Sequence, residues 1–250
     1  MKKSFIKFLI GTALVTALLS SEETPGKEKN WSIGASANTA YNYLWRGFRL
    51  HDSMCIQPGA EISIDDLSIG WWGSIGTGGD IAPGFHESDI YAGYSVPMPF
   101  FEKLSISSGF TFYLFPLNVK SGNNGYRGLD YSVEGYLGSG LTLGKGKFSI
   151  EPGITWYIDN LFGQYLDMSV PLSIALIDKK TSFSISPAFN LGAYFGPDIS
   201  DDGFNALMMR IDFPLAVKAL ELSPFVYYQI ALKDSYTSAF SGGLSIALSY

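Results

Sequence analysis

Two histidines, His51 and His86, are the side chains of this chain best suited to act as a general base near neutral pH. His51 is followed directly by an aspartate and a serine, and His86 is followed by Ser88 and Asp89. These are the residue types of a Ser-His-Asp hydrolase, whose base must be bonded to a nucleophile and oriented by a carboxylate. Both histidines fall in segments predicted as outer loops, RGFRLHDSM and TGGDIAPGFHE, where no strand would hold that geometry. The sequence therefore predicts that the chain is not an enzyme.

A metal site is also disfavoured by the residues available. Cys55 is the sole cysteine, which excludes an internal disulfide and a thiolate zinc cage. Together with His51, His86 and Glu87 it would mix soft and hard ligands without a recognised spacing. We therefore expect no metal and no cofactor.

The elements that must position these residues are predicted to be β-strands with unlike faces. In SGGLSIALSY, residues 241–250, large apolar side chains alternate with serine, glycine and alanine. The same alternation recurs in TSFSISPAFNLGAYFG, residues 181–196. Serine and glycine cannot fill a core at crystal-like density, whereas a water-filled lumen accepts them. The apolar faces are therefore predicted to contact lipid.

Twelve such strands are predicted, an even number, as a barrel with both termini on one side requires. Short connections alternate with long polar ones, as periplasmic turns and extracellular loops do. The strands are expected near residues 32–46, 55–64, 67–76, 88–97, 104–115, 129–143, 148–158, 165–177, 182–195, 206–217, 222–232 and 239–250. Aromatic residues near strand ends are predicted to form girdles at the membrane interfaces: Tyr41, Tyr43, Trp45, Trp156, Phe195 and Tyr250. Six prolines inside strands predict bulges or local distortions: Pro58, Pro152, Pro171, Pro187, Pro214 and Pro224.

The N-terminal segment MKKSFIKFLIGTALVTALLS has the basic-then-apolar order of a secretory signal. After it, no apolar stretch approaches the roughly 18 residues of a spanning helix, so the chain is predicted to cross a membrane as a closed barrel. We expect a signal peptide at 1–21, a short linker at 22–30 and an all-β, antiparallel transmembrane β-barrel of about 12 strands at 31–250, located in the cell outer membrane. Three of the 17 basic residues lie in that signal, against 23 acidic residues in the chain, and this excess of acid excludes nucleic acid as a partner.

Four motifs between residues 31 and 96 carry a resemblance to a known family: YNYLWRGFRL, IQPGAEISI, IGWWGS and ESDIYAGYS. With them the chain resembles the Gcw_chp or TorF-type porin family of Gram-negative bacteria. The resemblance implies an outer-membrane barrel with a pore role, and it supplies no catalytic residues to carry over.

The lumen is the sharpest functional candidate that the strand pattern offers. Five acids and two bases share the inward face, an excess that favours cations or neutral solutes over anions. These predicted pore-lining residues are Arg46, Glu61, Asp89, Glu134, Glu151, Arg210 and Asp212. Five tyrosines of the same face are predicted to line a solute path or to fill volume: Tyr91, Tyr136, Tyr157, Tyr194 and Tyr227.

The sequence thus predicts a porin-like channel for passive diffusion of small solutes, weakly preferring cations. The alternative is a plugged barrel with a scaffold or receptor role, whose inner charges pair across strands, and a barrel hydrolase is the least favoured interpretation. The expected partners are outer-membrane lipid and small solutes. The last strand, Ala239 to Tyr250, is expected to pair with Ser32 to Tyr43 and close the barrel. A terminal aromatic strand also resembles the signal that barrel assembly machinery reads in outer-membrane proteins generally.

Overall fold

The protein folds as a closed antiparallel β-barrel. The structure, a computed structural model, describes residues 31–79, 83–98, 100–115, 131–160, 163–178, 181–195 and 202–250, so the predicted signal and linker lie outside it. Its strand segments are β1 (Trp31–Trp45), β2 (Phe48–Ile64), β3 (Leu67–Gly76), β4 (Gly84–Met98), β5 (Phe101–Leu114), β6 (Tyr131–Leu141), β7 (Leu143–Lys145), β8 (Phe148–Ile150), β9 (Gly153–Asp159), β10 (Gly163–Asp178), β11 (Thr181–Phe195), β12 (Gly203–Asp212), β13 (Leu215–Val217), β14 (Leu220–Ala231) and β15 (Ala239–Ser249). Because β7 continues β6, β8 leads into β9 and β13 continues β12, these segments form the twelve predicted barrel strands.

The barrel closes where the sequence predicts it to close. β15 pairs with β14 on one side and with β1 on the other, from Gly34 opposite Ser249 to Tyr41 opposite Gly242. Ile33 and Tyr250 exchange two backbone hydrogen bonds of 2.9 Å beyond the end of that ladder. The start of β1 therefore lies beside the end of β15, at the end of the barrel that carries the short turns. We call this the turn end and the opposite one the loop end.

The outer surface is apolar around the whole barrel. Each of the twelve strands exposes a large apolar side chain, among them Ile62, Ile69, Phe110, Leu137 and Phe189, each more than a third accessible. A water-soluble protein rarely shows an apolar surface of this extent, whereas lipid requires one. The interior is correspondingly polar, and its most buried side chains include Asn205 and Gln229. Among the described residues, no helix is long and apolar enough to cross a membrane.

Two of the six strand prolines break a strand outright. Pro152 separates β8 from β9, and Pro214 separates β12 from β13. Pro58 stays within β2, but the pairing of β2 with β3 skips from Ile56 to Gly59 around it. The missing N–H donor of proline explains these interruptions.

The first hairpin differs from the sequence prediction. The segment RGFRLHDSM was expected to be a long outer loop, but β2 already begins at Phe48 and only Arg46 and Gly47 form the turn. Both turn residues have positive φ, 48° and 94°, as a two-residue type I′ turn requires. The polar composition of this segment was interpreted as a loop. The segment is polar because this part of the strand turns into the polar interior of the barrel.

The end of this hairpin bends into the barrel. Asn42 has a φ of 62°, a left-handed conformation that asparagine tolerates better than most residues, and the β1–β2 register shifts on both sides of Tyr43. As a result Tyr43 packs against a buried cluster of Ala40, Cys55 and Phe225, and Trp45 lines an internal cavity. The girdle prediction is therefore wrong for Tyr43 and Trp45. The described outward aromatics of that prediction include Tyr41, Trp156 and Phe195, which are all exposed.

Candidate functional site: the barrel interior

The tip of the β1–β2 hairpin is bonded to the wall formed by β14 and β12, which follow β15 on one side of β1. The Gly47 N–H donates to Gln229 Oε1 on β14 at 3.1 Å, and Asn205 Nδ2 on β12 donates to the Arg46 carbonyl at 2.6 Å. The Thr237 N–H donates to the Gly47 carbonyl at 3.1 Å. Asn205 and Gln229 are fully buried, so losing the bonds that Asn205 Nδ2 and Gln229 Oε1 form with the tip would be costly. The tip is therefore held against this part of the wall at the loop end.

Arg46 extends from this tip to the opposite wall. Its Nη1 and Nη2 donate to the two carboxylate oxygens of Glu134 on β6, at 2.5 and 2.9 Å. The guanidinium carbon lies 4.1 Å from the ring centre of Tyr157, and 4.6 Å from those of Tyr165 and Trp45. We call Glu134, Tyr157, Tyr165 and Trp45 the Arg46 cage. Since β3, β4 and β5 separate β2 from β6, this contact spans the lumen.

A chain of tyrosine rings surrounds the tip. Ring centres lie 5.9 Å apart between Tyr136 and Tyr157, 6.1 Å between Tyr157 and Tyr165, and 4.6 Å between Tyr165 and Tyr194. Tyr194 continues the chain to Tyr236 at 6.2 Å. These rings fill the loop end, where Tyr194 is completely buried. Tyr91 on β4 donates a hydrogen bond to Glu61 at 3.0 Å.

The turn end of the interior has a different lining. Small side chains lie side by side there, with Gly138 beside Ser107 and Thr155, and Gly153 beside Ser169. Such residues leave the lumen wide, in contrast to the ring-filled loop end. The interior therefore narrows from the turn end to the hairpin tip.

A cavity of about 450 Å³ lies between these two regions. Its volume falls within the range of small-molecule sites. The lining combines aromatic rings, amides, a carboxylate and two guanidinium groups: Ala40, Asn42, Tyr43, Leu44, Trp45, Arg46, Gln57, Tyr157, Tyr165, Asp167, Ala188, Asn190, Met208, Arg210, Phe225, Tyr227 and Ser241. Charged groups of both signs thus converge on one cavity.

The remaining residues predicted to line a pore occupy several environments. Arg210 pairs with Asp212 on its own strand at 2.7 Å and covers the Phe225 ring. Asp89 is buried, and Glu61 is partly buried beneath Tyr91. Glu151 is exposed in the break between β8 and β9. The structure therefore joins Arg46 to Glu134 and Arg210 to Asp212, but does not bring all seven together.

The two histidines lie in strands, which corrects their prediction as loop residues. His51 is in β2 and His86 in β4, both are buried, and their ring centres are 4.8 Å apart. Ser88 accepts a hydrogen bond from Trp71 at 2.9 Å, and neither nitrogen of His86 has a hydrogen-bond partner among the described residues. The Ser-His bond of a hydrolase is thus not formed by His86 and Ser88. In the described ranges, no group of three His, Cys, Asp or Glu side chains is placed to hold a metal ion.

Several interior residues were missed by the sequence analysis. Asp167 lines the cavity and accepts hydrogen bonds of 3.2 and 3.3 Å from Asn190. The alternation of β10 could have revealed it, because Asp167 shares its face with Tyr165. Asn205 and Gln229 both form hydrogen bonds to the hairpin tip. No local sequence signal marks them, because these bonds depend on a turn that is distant in sequence.

Comparison with known proteins identifies a family and a fold. The family model described as "Bacterial protein of unknown function (Gcw_chp)" matches residues 26–186, well beyond the motifs noted in the sequence. A search of curated proteins gives no match. LpxR from Salmonella typhimurium is similar in structure, with 11% identity and a TM-score of 0.53, covering 87% of this chain and 99% of that one.

Other similar structures are more distant in shape. The β-domain of the Bordetella autotransporter BrkA has 10% identity and a TM-score of 0.49, with 88% and 98% of the two chains covered. The outer-membrane channel DcaP of Acinetobacter baumannii has 8% identity and a TM-score of 0.41, with 88% and 96% covered. At these identities the likeness concerns the fold alone.

Proposed function

The chain belongs to the Gcw_chp family of bacterial proteins of unknown function and is an outer-membrane β-barrel, and we propose that it is a channel for passive diffusion of small solutes with a weak preference for cations. The observation that carries this proposal is the excess of acid in the interior. Two of the interior acids are neutralised, Glu134 by Arg46 and Asp212 by Arg210. Two more line or approach the lumen and form none of the ion pairs of the described residues: Glu61 and Asp167.

Acids that remain without a basic partner attract cations into a narrow lumen and repel anions. The small residues at the turn end support a water-filled entrance, and the hairpin tip sets the narrowest point. Solutes larger than the space beside the tip would be excluded. The proposed channel is therefore selective by size as well as by charge.

The test is a recording in planar bilayers with a potassium chloride gradient across the membrane. We expect conductance with a reversal potential on the cation-selective side. The double variant Glu61→Gln with Asp167→Asn should move that potential toward zero, because it removes two lumen charges. Asp65→Asn, in the exposed turn between β2 and β3, is the matched control and should leave it unchanged. Equal shifts in the two variants would contradict the assignment of the lumen acids.

A plugged scaffold is the second candidate, favoured by the three hydrogen bonds that hold the hairpin tip. Such a barrel would fold normally yet carry no current. Mobility in SDS before and after boiling reports folding independently of conduction. Folded protein without conductance would therefore favour the scaffold over the channel.

A further inference from the structure

The Arg46 guanidinium occupies a site that is built almost entirely by other strands. Glu134 supplies a carboxylate from β6, while Tyr157 and Tyr165 supply ring faces from β9 and β10. Tyr113 on β5 donates to Glu134 Oε1 at 3.0 Å and fixes the carboxylate in place. Arg46 itself belongs to the hairpin tip. We call Glu134, Tyr113, Tyr157 and Tyr165 the receptor. These residues of the wall would form a complete cation site if the hairpin tip were elsewhere.

The receptor matches a guanidinium more closely than an ammonium group. Glu134 accepts two parallel hydrogen bonds from Nη1 and Nη2, the fork geometry that a planar guanidinium provides and a single ammonium does not. The ring faces of Tyr157 and Tyr165 attract the same cation through their π electrons. Glu134 is only 2% exposed, so water screens these interactions weakly.

Acidic side chains besides Glu134 lie near the receptor. Asp89 lies close enough to Glu134 to interact with it electrostatically, and Asp167 does so with Arg46. Three carboxyl groups therefore lie near one guanidinium group at this level of the barrel.

The internal cavity gives a solute access to the receptor. Tyr157 and Tyr165 belong both to the Arg46 cage and to the cavity lining. Arg46 also lines the cavity, which extends past it to Asp167. Its volume of about 450 Å³ is within the range of sites for small organic molecules. A solute held there would contact the bound guanidinium directly.

We propose that Glu134, Tyr113, Tyr157 and Tyr165 form a binding site for small guanidinium-bearing solutes, which Arg46 occupies as a built-in ligand until a solute displaces it. This inference rests on the proposed channel function and names the solute class that the channel favours. Without solute, Arg46 occupies the site. When a guanidinium compound enters, its guanidinium group replaces that of Arg46 at Glu134. The exchange leaves no buried carboxylate without a cation, which would otherwise be the main cost of moving the hairpin.

The first experiment measures thermal unfolding of the purified barrel in detergent, with Arg46→Ala as the receptor-vacant variant. Millimolar methylguanidinium chloride should raise its unfolding midpoint in a saturable way, while sodium chloride at equal ionic strength should not. The double variant Arg46→Ala with Glu134→Gln should lose this response. No response in the single variant, or an equal response in the double variant, would overturn the proposal.

The second experiment begins with the wild-type channel, so its first result does not depend on folding of a variant. Methylguanidinium added to a potassium chloride recording should cause brief interruptions of current whose frequency rises with its concentration. The interruptions should persist in Asp65→Asn and vanish in Glu134→Gln. Potassium current without such interruptions would overturn the receptor alone. Absence of any potassium current would instead refute the channel on which the receptor rests.

Discussion

Arg46 adopts a backbone conformation that an arginine seldom takes. Its φ of 48° lies in the left-handed region, which costs an ordinary residue about 1–2 kcal/mol, and asparagine or aspartate usually precedes glycine in such turns. The side chain offsets this cost by its two hydrogen bonds to Glu134 and its ring contacts. The turn therefore contains an arginine, which binds the opposite wall, in place of the asparagine or aspartate that would fit the turn better.

Gly47 should be harder to replace than Gly146, another turn glycine with a positive φ. A Cβ there would lie 2.4 Å from Asn205 Nδ2 and 2.8 Å from a ring carbon of Tyr236, at a φ of 94°. Gly146 also has a positive φ, 64°, but has open space around it. We expect Gly47→Ala to lower the free energy of unfolding by about 1–3 kcal/mol more than Gly146→Ala does, because overpacking adds to the backbone strain.

The measurement is urea-induced unfolding of both variants in detergent, followed by tryptophan fluorescence. The Gly146→Ala variant serves as the control for backbone strain alone. Equal losses of stability would mean that the hairpin tip is not packed against Asn205 and Tyr236.

Most strands could be predicted at the level of the element because lipid imposes a strict alternation. Leu67 and Ile69 point outward while Gly70 and Ser74 are buried, as the period of two requires. The prediction for the end of the first hairpin was wrong because the alternation of outward and inward side chains stops after Asn42. There the strand leaves the lipid-facing wall. Contacts made there depend on residues such as Gln229, which no local pattern of the hairpin specifies.

The closing strand β15 provides a test of which face meets lipid. Ile246 is exposed on the outer face and pairs with Ala37 of β1, while the neighbouring Ser245 faces the lumen. We expect Ile246→Ser, combined with Leu248→Ser, to reduce membrane insertion, since each change removes apolar area from the lipid contact. The control Ser245→Ala should insert normally.

Insertion is measured by protease resistance and by heat-dependent mobility in SDS. A protease-sensitive precursor is expected only for the serine variant. Equal insertion of the two variants would contradict the assignment of the outer face.

For the whole molecule, Cys55 is a natural reporter of closure at the loop end. It is the sole cysteine, it is fully buried, and its thiol contacts the Ala40 carbonyl at 3.5 Å. We expect a membrane-impermeant maleimide to label it slowly in the folded wild-type barrel and rapidly after denaturation. Arg46→Ala should label faster than the wild type, because its hairpin tip has lost the contact with Glu134. Rapid labelling of the folded wild type would contradict a closed loop end.

The hairpin also constrains the order of events during biogenesis. Its turn is among the earliest parts of the barrel to be synthesised, yet its anchors lie far along the chain, with Glu134 88 residues and Gln229 182 residues away. Contacts of such long sequence separation form late, because the intervening chain must first be ordered. We therefore expect the first hairpin made to be the last to dock, so that a nascent barrel is open before it matures into a closed one.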